Sequence, residues 1–342
     1  LRPVIIGVTN IPPRDTGSRV GLVTLPVSLH GGPLSVDTVN DRQYAQISVI
    51  FFKAERVSGK ITIFAESALG CKCYAMKQRF YKYEGAGNDF VVIDGRTGGF
   101  IPGRERVAFL CDRRRGIGAD GLMILGHDPE QQFRMRYFNA DGGESTMCGN
   151  GGRCIALFAE HLGIGGATKR FTGIDGVHEA RMLEVEGDRG EVALGMIDVP
   201  EIDRHDGYCF LNTGSPHYVE FVEDVRSVDV CSRGAAVRWG EPFAAGGGTN
   251  VNFVERVGDG HIRVRTFERG VEDETLACGT GATASALATA LLSGSPVRRY
   301  RVDVEGGTLF VAFESAGGSS FSHVVLTGPA KKVFEGEIDL KI

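Results

Sequence analysis

Long apolar runs are missing from this chain. Nothing in its 342 residues approaches the roughly 18 consecutive apolar positions that carry a helix across a bilayer, so no membrane association is expected. A strong charge of either sign is missing too. The formal net charge is -5 at pH 7, which argues against nucleic acid as a partner. Metal-ligand spacings are absent: there is no Cys-x-x-Cys, and Cys71-x-Cys73 has no second pair at zinc distance. Phosphate and dinucleotide signatures are lacking as well. No G-x-x-x-x-G-K-[ST] occurs, and no G-x-G-x-x-G follows a strand with an acidic residue placed for a ribose. Eight cysteines in a chain this long are too few for a secreted disulfide scaffold, so a reducing cytoplasm is expected. The opening residues have no charged-then-apolar layout of a secretion signal.

What the chain does have is one local pattern, twice. Thr146-Met147-Cys148-Gly149-Asn150-Gly151-Gly152-Arg153 and Leu276-Ala277-Cys278-Gly279-Thr280-Gly281-Ala282-Thr283 both read Cys-Gly-x-Gly. Each opens an apolar, helix-like stretch, and each has a Glu four residues upstream, Glu144 and Glu274. Strand-like runs precede both: Phe133 to Phe138, and His261 to Phe267. Further upstream, Gly85-Ala86-Gly87-Asn88-Asp89-Phe90 is echoed by Asn212-Thr213-Gly214-Ser215-Pro216-His217. The order hairpin, loop, strand, Cys-loop, helix therefore occurs twice. That implies two similar α+β halves with one thiol at the same place in each.

A thiol at a helix start has a physical use. The first turn leaves backbone N–H groups unpaired, and the aligned peptides put partial positive charge there. Helix N-termini can lower a thiol pKa from about 8.5 into the range of roughly 3.5–7.5. The same N–H groups bind anions. An α-carboxylate held between two such ends would set its α-carbon between two sulfurs, and one sulfur could remove a proton while the other returned one.

These motifs resemble the diaminopimelate epimerase family. The resemblance is carried by Phe80 to Phe90, Arg115-Gly116-Ile117-Gly118-Ala119-Asp120-Gly121, Phe138-Asn139-Ala140-Asp141-Gly142 and the Cys148 loop. It continues through Gly214-Ser215-Pro216-His217, Gly248 to Phe253, Phe267-Glu268-Arg269-Gly270 and the Cys278 loop, and covers Met76 to Ile342 in order. It implies an isomerase that converts LL- to meso-2,6-diaminopimelate without cofactor or metal, on the way to lysine and peptidoglycan. Cys148 and Cys278 would be the acid/base pair, tuned by His217 and Glu268. Gly149, Asn150, Gly279 and Thr280 would hold the reacting carboxylate through backbone N–H groups. Asn139, Asn252, Glu268 and Arg269 would hold the distal end, where a guanidinium fork suits a carboxylate. Asn88 and Ser215 would also touch substrate. Two positions depart from the family pattern, which often has Asn at Ser215 and Gln at Gly121. Gly121 is expected to contribute backbone only.

The resemblance further implies two pseudo-symmetric domains, each a curved mixed sheet around a central helix, with the active site in the cleft between them. Expected limits are residues 76–199 plus 330–342 for the first and 200–329 for the second. Residues 1–75 fall outside the resemblance and read as a poorly ordered extension or translated upstream sequence, with Met76 as the natural start. The small-molecule substrate is the expected partner, and the family often forms homodimers. Other readings stand beside these. Cys111, Cys154, Cys209 and Cys231 read as small buried hydrophobes, and Arg113 to Arg115 as a charged face partly paired with acids. A proline- or hydroxyproline-type two-cysteine racemase is the nearest alternative, although such enzymes typically carry His where Asn150 stands. A redox or metal-binding protein built on the cysteines is the alternative from another class.

Overall fold

The computed structural model describes residues 51–57, 60–66, 75–98, 100–146 and 148–341. Two compact units divide the chain: residues 1–75 with 341–342, and residues 76–340. The described part of the first is an antiparallel hairpin of β1 (Phe51–Val57) and β2 (Lys60–Glu66), with Phe51 opposite Glu66 and Val57 opposite Lys60. The remaining expectations for residues 1–75, Cys71 and Cys73 included, lie outside the described residues.

The second unit builds one pattern twice. Its first half runs β3 (Ala75–Gly85), β4 (Asn88–Asp94), α1 (Arg104–Cys111), β5 (Gly121–Gly126), β6 (Phe133–Asn139), β7 (Glu144–Ser145), α2 (Gly149–His161), β8 (Thr168–Gly173), β9 (Gly176–Glu186) and β10 (Arg189–Gly195). After the short β11 (Asp203–Arg204), the second half runs β12 (Tyr208–Asn212), β13 (Pro216–Val222), α3 (Val230–Arg238), β14 (Asn250–Gly258), β15 (His261–Glu268), β16 (Asp273–Thr275), α4 (Gly279–Ser293), β17 (Arg299–Val304), β18 (Gly307–Gly317) and β19 (Ser320–Lys341). The first sheet follows the order β3-β4-β5-β6-β8-β9-β10. The second follows β12-β13-β14-β15-β17-β18-β19. Parallel pairs fall at equivalent places, β4–β5 and β6–β8 in one, β13–β14 and β15–β17 in the other. The halves are joined through β19, where Val325, Leu326 and Thr327 pair with β18 on one side and β10 on the other. The fold is thus the α+β pair of mixed sheets around central helices that the motifs implied.

Strand periodicity explains the layering. Successive side chains point to opposite faces. Phe90 and Val92 pack inward on α2, while Val91 and Ile93 pack outward with Val107 and Leu110 of α1. Both faces are covered, so these strands read as continuous apolar runs. In the second half α4 lies inside, and α3 covers Val251, Phe253 and Phe267 outside. A helix enclosed by sheet must be apolar all round. The residues of α4 from Gly281 to Ala290 are all buried, and its hydroxyls are absorbed locally: Thr283, Ser285 and Thr289 each donate to the carbonyl four residues back, at 2.9, 2.7 and 2.7 Å.

The paired glutamates are structural clamps. Glu144 takes a bidentate grip from Arg136 across β6–β7 (2.7 and 2.8 Å), and Glu274 takes one from Arg265 across β15–β16 (2.6 and 2.7 Å). Cys111, Cys154 and Cys209 are buried as expected. Cys231 is not: it stands exposed on the first turn of α3 and donates to Asp273 Oδ1 at 3.0 Å. Of the arginine cluster, Arg113 pairs with Asp89 and Asp120, and Arg115 with Asp112.

Candidate active site

Cys148 is the N-cap residue of α2 and Cys278 that of α4, both with extended backbone. The helix starts abut. A Cβ added to Gly149 would stand 3.3 Å from Gly279 Cα, and one added to Gly279 would stand 3.1 Å from Gly149 Cα. Only glycine permits that approach. Upstream, Gly87 (φ +86) and Gly214 (φ +110) are both left-handed, and each delivers the next residue, Asn88 or Ser215, to the helix start of its own half. The cleft is therefore built by equivalent pieces from two halves.

Behind the two thiols the halves differ. On the Cys278 side, the fully buried Asn252 accepts from Thr266 Oγ1 (2.9 Å), so its amide nitrogen donates to Tyr218 O (2.8 Å) and His217 Nδ1 (3.1 Å). That leaves His217 Nε2–H to donate to Ser215 Oγ at 3.0 Å. Ser215 Oγ also accepts from Asn250 Nδ2 (3.1 Å), so its own proton is directed at Thr280 Oγ1, 3.3 Å away. Thr280 in turn lies 3.4 Å from Cys278 Sγ. The contacts run without a gap from Asn252 through His217, Ser215 and Thr280 to the sulfur. Burial and the neighbouring Arg269 lower His217 to about 3, so the ring is neutral.

On the Cys148 side the corresponding backing is Phe90, Met123 and Tyr137, which is largely apolar. Polar contacts come from the rim. Asn88 Oδ1 lies 3.8 Å from Cys148 Sγ and 3.3 Å from Asn150 Nδ2. Asn88 is oriented by its own amide nitrogen, which donates to Asp120 Oδ2 at 2.6 Å. Asp120 is held by Arg113, which also grips Asp89, and Lys82 closes the network from below at 2.7 Å from Asp89. Asn150 donates across the cleft to Ala277 O at 2.8 Å and accepts from Arg153 Nη2 at 2.9 Å. Arg153 is completely buried and donates also to Gly149 O (3.1 Å) and Pro329 O (3.3 Å), with no carboxylate partner among the described residues.

The electrostatics differ from the helix-dipole expectation. Burial, then the charge of Glu268, pushes the Cys148 thiol up to about 11, against the pull of the Gly151 and Asn150 N–H groups and Arg153. The same two causes raise Cys278 well above its ordinary value, opposed by Thr280 and the Gly281 N–H. Desolvation wins because Cys278 is buried and Cys148 partly so, and charge is expensive away from water. Charge on Cys148 adds to the rise of Cys278, so the two share one environment. Glu268 is itself raised by burial to about 7, partly offset by a hydrogen bond from Thr275 (2.9 Å).

Among the described residues neither Glu268 nor Arg269 has an ion-pair partner. Arg269 spends one long contact on Gly248 O (3.5 Å). Asn139, at the end of β6 opposite Gly121, is exposed and its side chain makes no hydrogen bond among the described residues. Asn252 stands apart from the expected ligand set. It lies behind His217 with its amide committed, so the structure gives it a supporting place and not a share of the open cleft surface. Arg153, Asp120, Asn250 and Tyr137 were not singled out from the sequence. The first three stand inside the recognised motifs, so a signal existed; Tyr137 is tied to the site only by cross-strand register.

Two helix N-caps bearing cysteines, in pseudo-symmetric halves of mixed sheet, define the class of fold. Solved structures share the architecture at low identity. A phenazine biosynthesis protein of the PhzF family from Bacillus anthracis aligns with TM-score 0.62 at 14% identity, over 77% of this chain and 99% of that one. A hydroxyproline epimerase from Agrobacterium vitis aligns at 0.54 and 16%, over 78% and 92%. At the sequence level the match is specific. The diaminopimelate epimerase family model matches residues 80–197 and 209–333. The diaminopimelate epimerase of Flavobacterium psychrophilum is 45% identical over 263 residues, 76% of this chain and all of that one. That of Chlorobaculum tepidum is 44% identical over 266 residues, 75% and 99%. The chain belongs to the diaminopimelate epimerase family and is an enzyme of the isomerase class.

Proposed function

We propose that this chain interconverts LL- and meso-2,6-diaminopimelate by a two-base mechanism that uses only its own thiols. The observation that carries the proposal is the abutment of the Cys148 and Cys278 helix starts, Gly149 on Gly279. An α-carboxylate bound by the N–H groups of Gly149, Asn150, Gly279 and Thr280 would lie across this junction. The α-carbon would then have a sulfur on each face. One sulfur, as thiolate, takes the α-proton; the other, as thiol, gives its proton to the opposite face. The protein ends with the proton on the other sulfur, so atoms and charge balance. Negative charge that develops on the carboxylate is met by both helix ends.

The raised thiol pKa values fit this task. A buried thiolate is rare but strongly basic, which matching to a weak carbon acid requires. Glu268, raised to about 7, lies close enough to affect both sulfurs and can accept a thiol proton near neutral pH. Arg269 and Glu268, both without an ion-pair partner among the described residues, complement a zwitterion. Thiols that must stay reduced suit the cytoplasm, and the product suits lysine and peptidoglycan synthesis.

The test is α-proton exchange into deuterated water with LL- and meso-diaminopimelate, with reductant and chelator present. Exchange with interconversion, lost on Cys148→Ser or Cys278→Ser, is the expected result. Exchange with proline or hydroxyproline alone would instead place the chain with the cyclic amino-acid racemases.

A further inference from the structure

Strand register makes the two cleft walls comparable residue by residue. Phe90 pairs with Gly121 as His217 pairs with Asn250. Met123 faces Tyr137 as Asn252 faces Thr266. Gly121 is thus the counterpart of Asn250, and Tyr137 that of Thr266. In the second half the side chain at 250 is present and fully used: Asn250 donates to Ser215 Oγ (3.1 Å) and Pro216 O (2.9 Å) and accepts from the Arg269 N–H (2.9 Å). Thr266 is short and spends its hydroxyl on Asn252.

In the first half the sizes are exchanged. Gly121 has no side chain, and a Cβ there would stand 2.6 Å from Tyr137 Cε2, 2.7 Å from Phe138 O and 3.1 Å from Tyr137 Oη. Tyr137 already fills that room. Its ring is fixed edge-on to Phe90, with centroids 6.0 Å apart and planes at 76°, and packs with the cluster around α2. Its hydroxyl makes no hydrogen bond among the described residues. Among them no buried side-chain nitrogen or oxygen lacks a partner, so this hydroxyl faces open space. Tyr137 and Cys148 pack against the same cluster around α2, which puts the ring on the wall that carries the Cys148 thiol. Desolvation of the ring and nearby negative charge raise the phenol well above its ordinary value, so it stays protonated and can donate.

We propose that Tyr137 is a specificity-determining residue, whose ring sets the width of the cleft on the Cys148 wall and whose hydroxyl donates to a carboxylate of the bound amino acid. It supplies the polar contact that a side chain at 121 has no room to make. This rests on the epimerase activity proposed above.

Tyr137→Phe keeps the ring and removes only the hydroxyl. With LL-diaminopimelate, KM is expected to rise about 10-fold or more while kcat stays within about 3-fold, because the contact is made in ground and transition states alike. The urea midpoint should not move. A second pair tests the shared space. Gly121→Asn alone should lower exchange by about 100-fold, since its Cβ overlaps both Tyr137 and the Phe138 carbonyl, and adding Tyr137→Val, which relieves only the first overlap, should recover part of that loss. Unchanged KM in Tyr137→Phe, against an active parent, would overturn the hydroxyl contact. A parent inert with every amino acid would overturn the epimerase reading itself, and that result is read before any variant is made.

Discussion

Gly149 and Gly279 touch backbone to backbone where α2 and α4 begin, with Leu326 Cδ2 closing over both at 2.9 Å from where either Cβ would stand. Leu326 belongs to the strand shared by both sheets, so one residue of β19 holds the junction of the halves. A Cβ on either glycine must displace the Leu326 tip and crowd the facing helix start, with the thiols beside it. Gly279→Ala should therefore cost about 1–3 kcal/mol in urea denaturation. It should also lower exchange by more than about 10-fold, because a 1 Å misplacement of reacting groups can cost that much or more. A variant with parental stability and full exchange would show that the close approach is not what sets the thiols.

Ser215 is the link between His217 and Cys278. It receives the His217 Nε2–H and passes its own proton towards Thr280, which lies against the sulfur. Ser215→Ala breaks the chain at one atom and leaves His217 with an unpaired buried donor. A fall of about 10-fold in kcat is expected. Ser215→Thr, which keeps the hydroxyl, should restore most of it. Equal losses in both variants would mean that packing at 215, and not the hydroxyl, matters.

The doubled Cys loop was legible because it is local: a cysteine, glycines that free the backbone and an apolar helix all lie within one stretch of chain. The mixed α+β halves followed from the same repeat. What could not be read depends on register. Asn252 and Asn250 stand two residues apart on β14 and look equivalent in sequence. Pairing turns Asn252 behind His217 and leaves Asn250 to hold Ser215 and the Arg269 backbone. Gly121 likewise reads as an absence until Tyr137 is found in its space. The helix-end effect on the thiols was legible too, but burial reverses its sign.

Glu268 gives a pH dependence of defined sign. Burial raises its carboxyl from 4.5 to about 7, so the folded state holds this proton more tightly than the unfolded chain. Its contribution to stability is complete below about 4.5 and is lost as pH rises to about 7. Exchange should run the other way and increase through pH 7, as Glu268 becomes able to accept a thiol proton. Glu268→Gln should remove both slopes: a flat urea midpoint between pH 4.5 and 7, and low exchange with no inflection near 7. An inflection that survives in Glu268→Gln would assign that titration to another group.

Arg153 carries a buried charge that no carboxylate among the described residues neutralises. Its guanidinium instead ties Gly149 O, Asn150 Oδ1 and Pro329 O, and Asn150 then reaches across to Ala277. The same charge favours the Cys148 thiolate, against burial and Glu268. Arg153→Met leaves those acceptors unmet, each at a cost of about 1–3 kcal/mol, so a clear loss of stability is expected. The electrostatic part can be read separately. In a Cys278→Ser background, the pH profile of Cys148 alkylation by iodoacetamide should move to higher pH in Arg153→Met. Arg153→Lys keeps the charge but lacks the planar fork, so it should leave the alkylation profile near the parent's while still losing stability. If Arg153→Met destabilises the fold without shifting the profile, the guanidinium serves as scaffold for the Cys148 loop and does not bias its thiol.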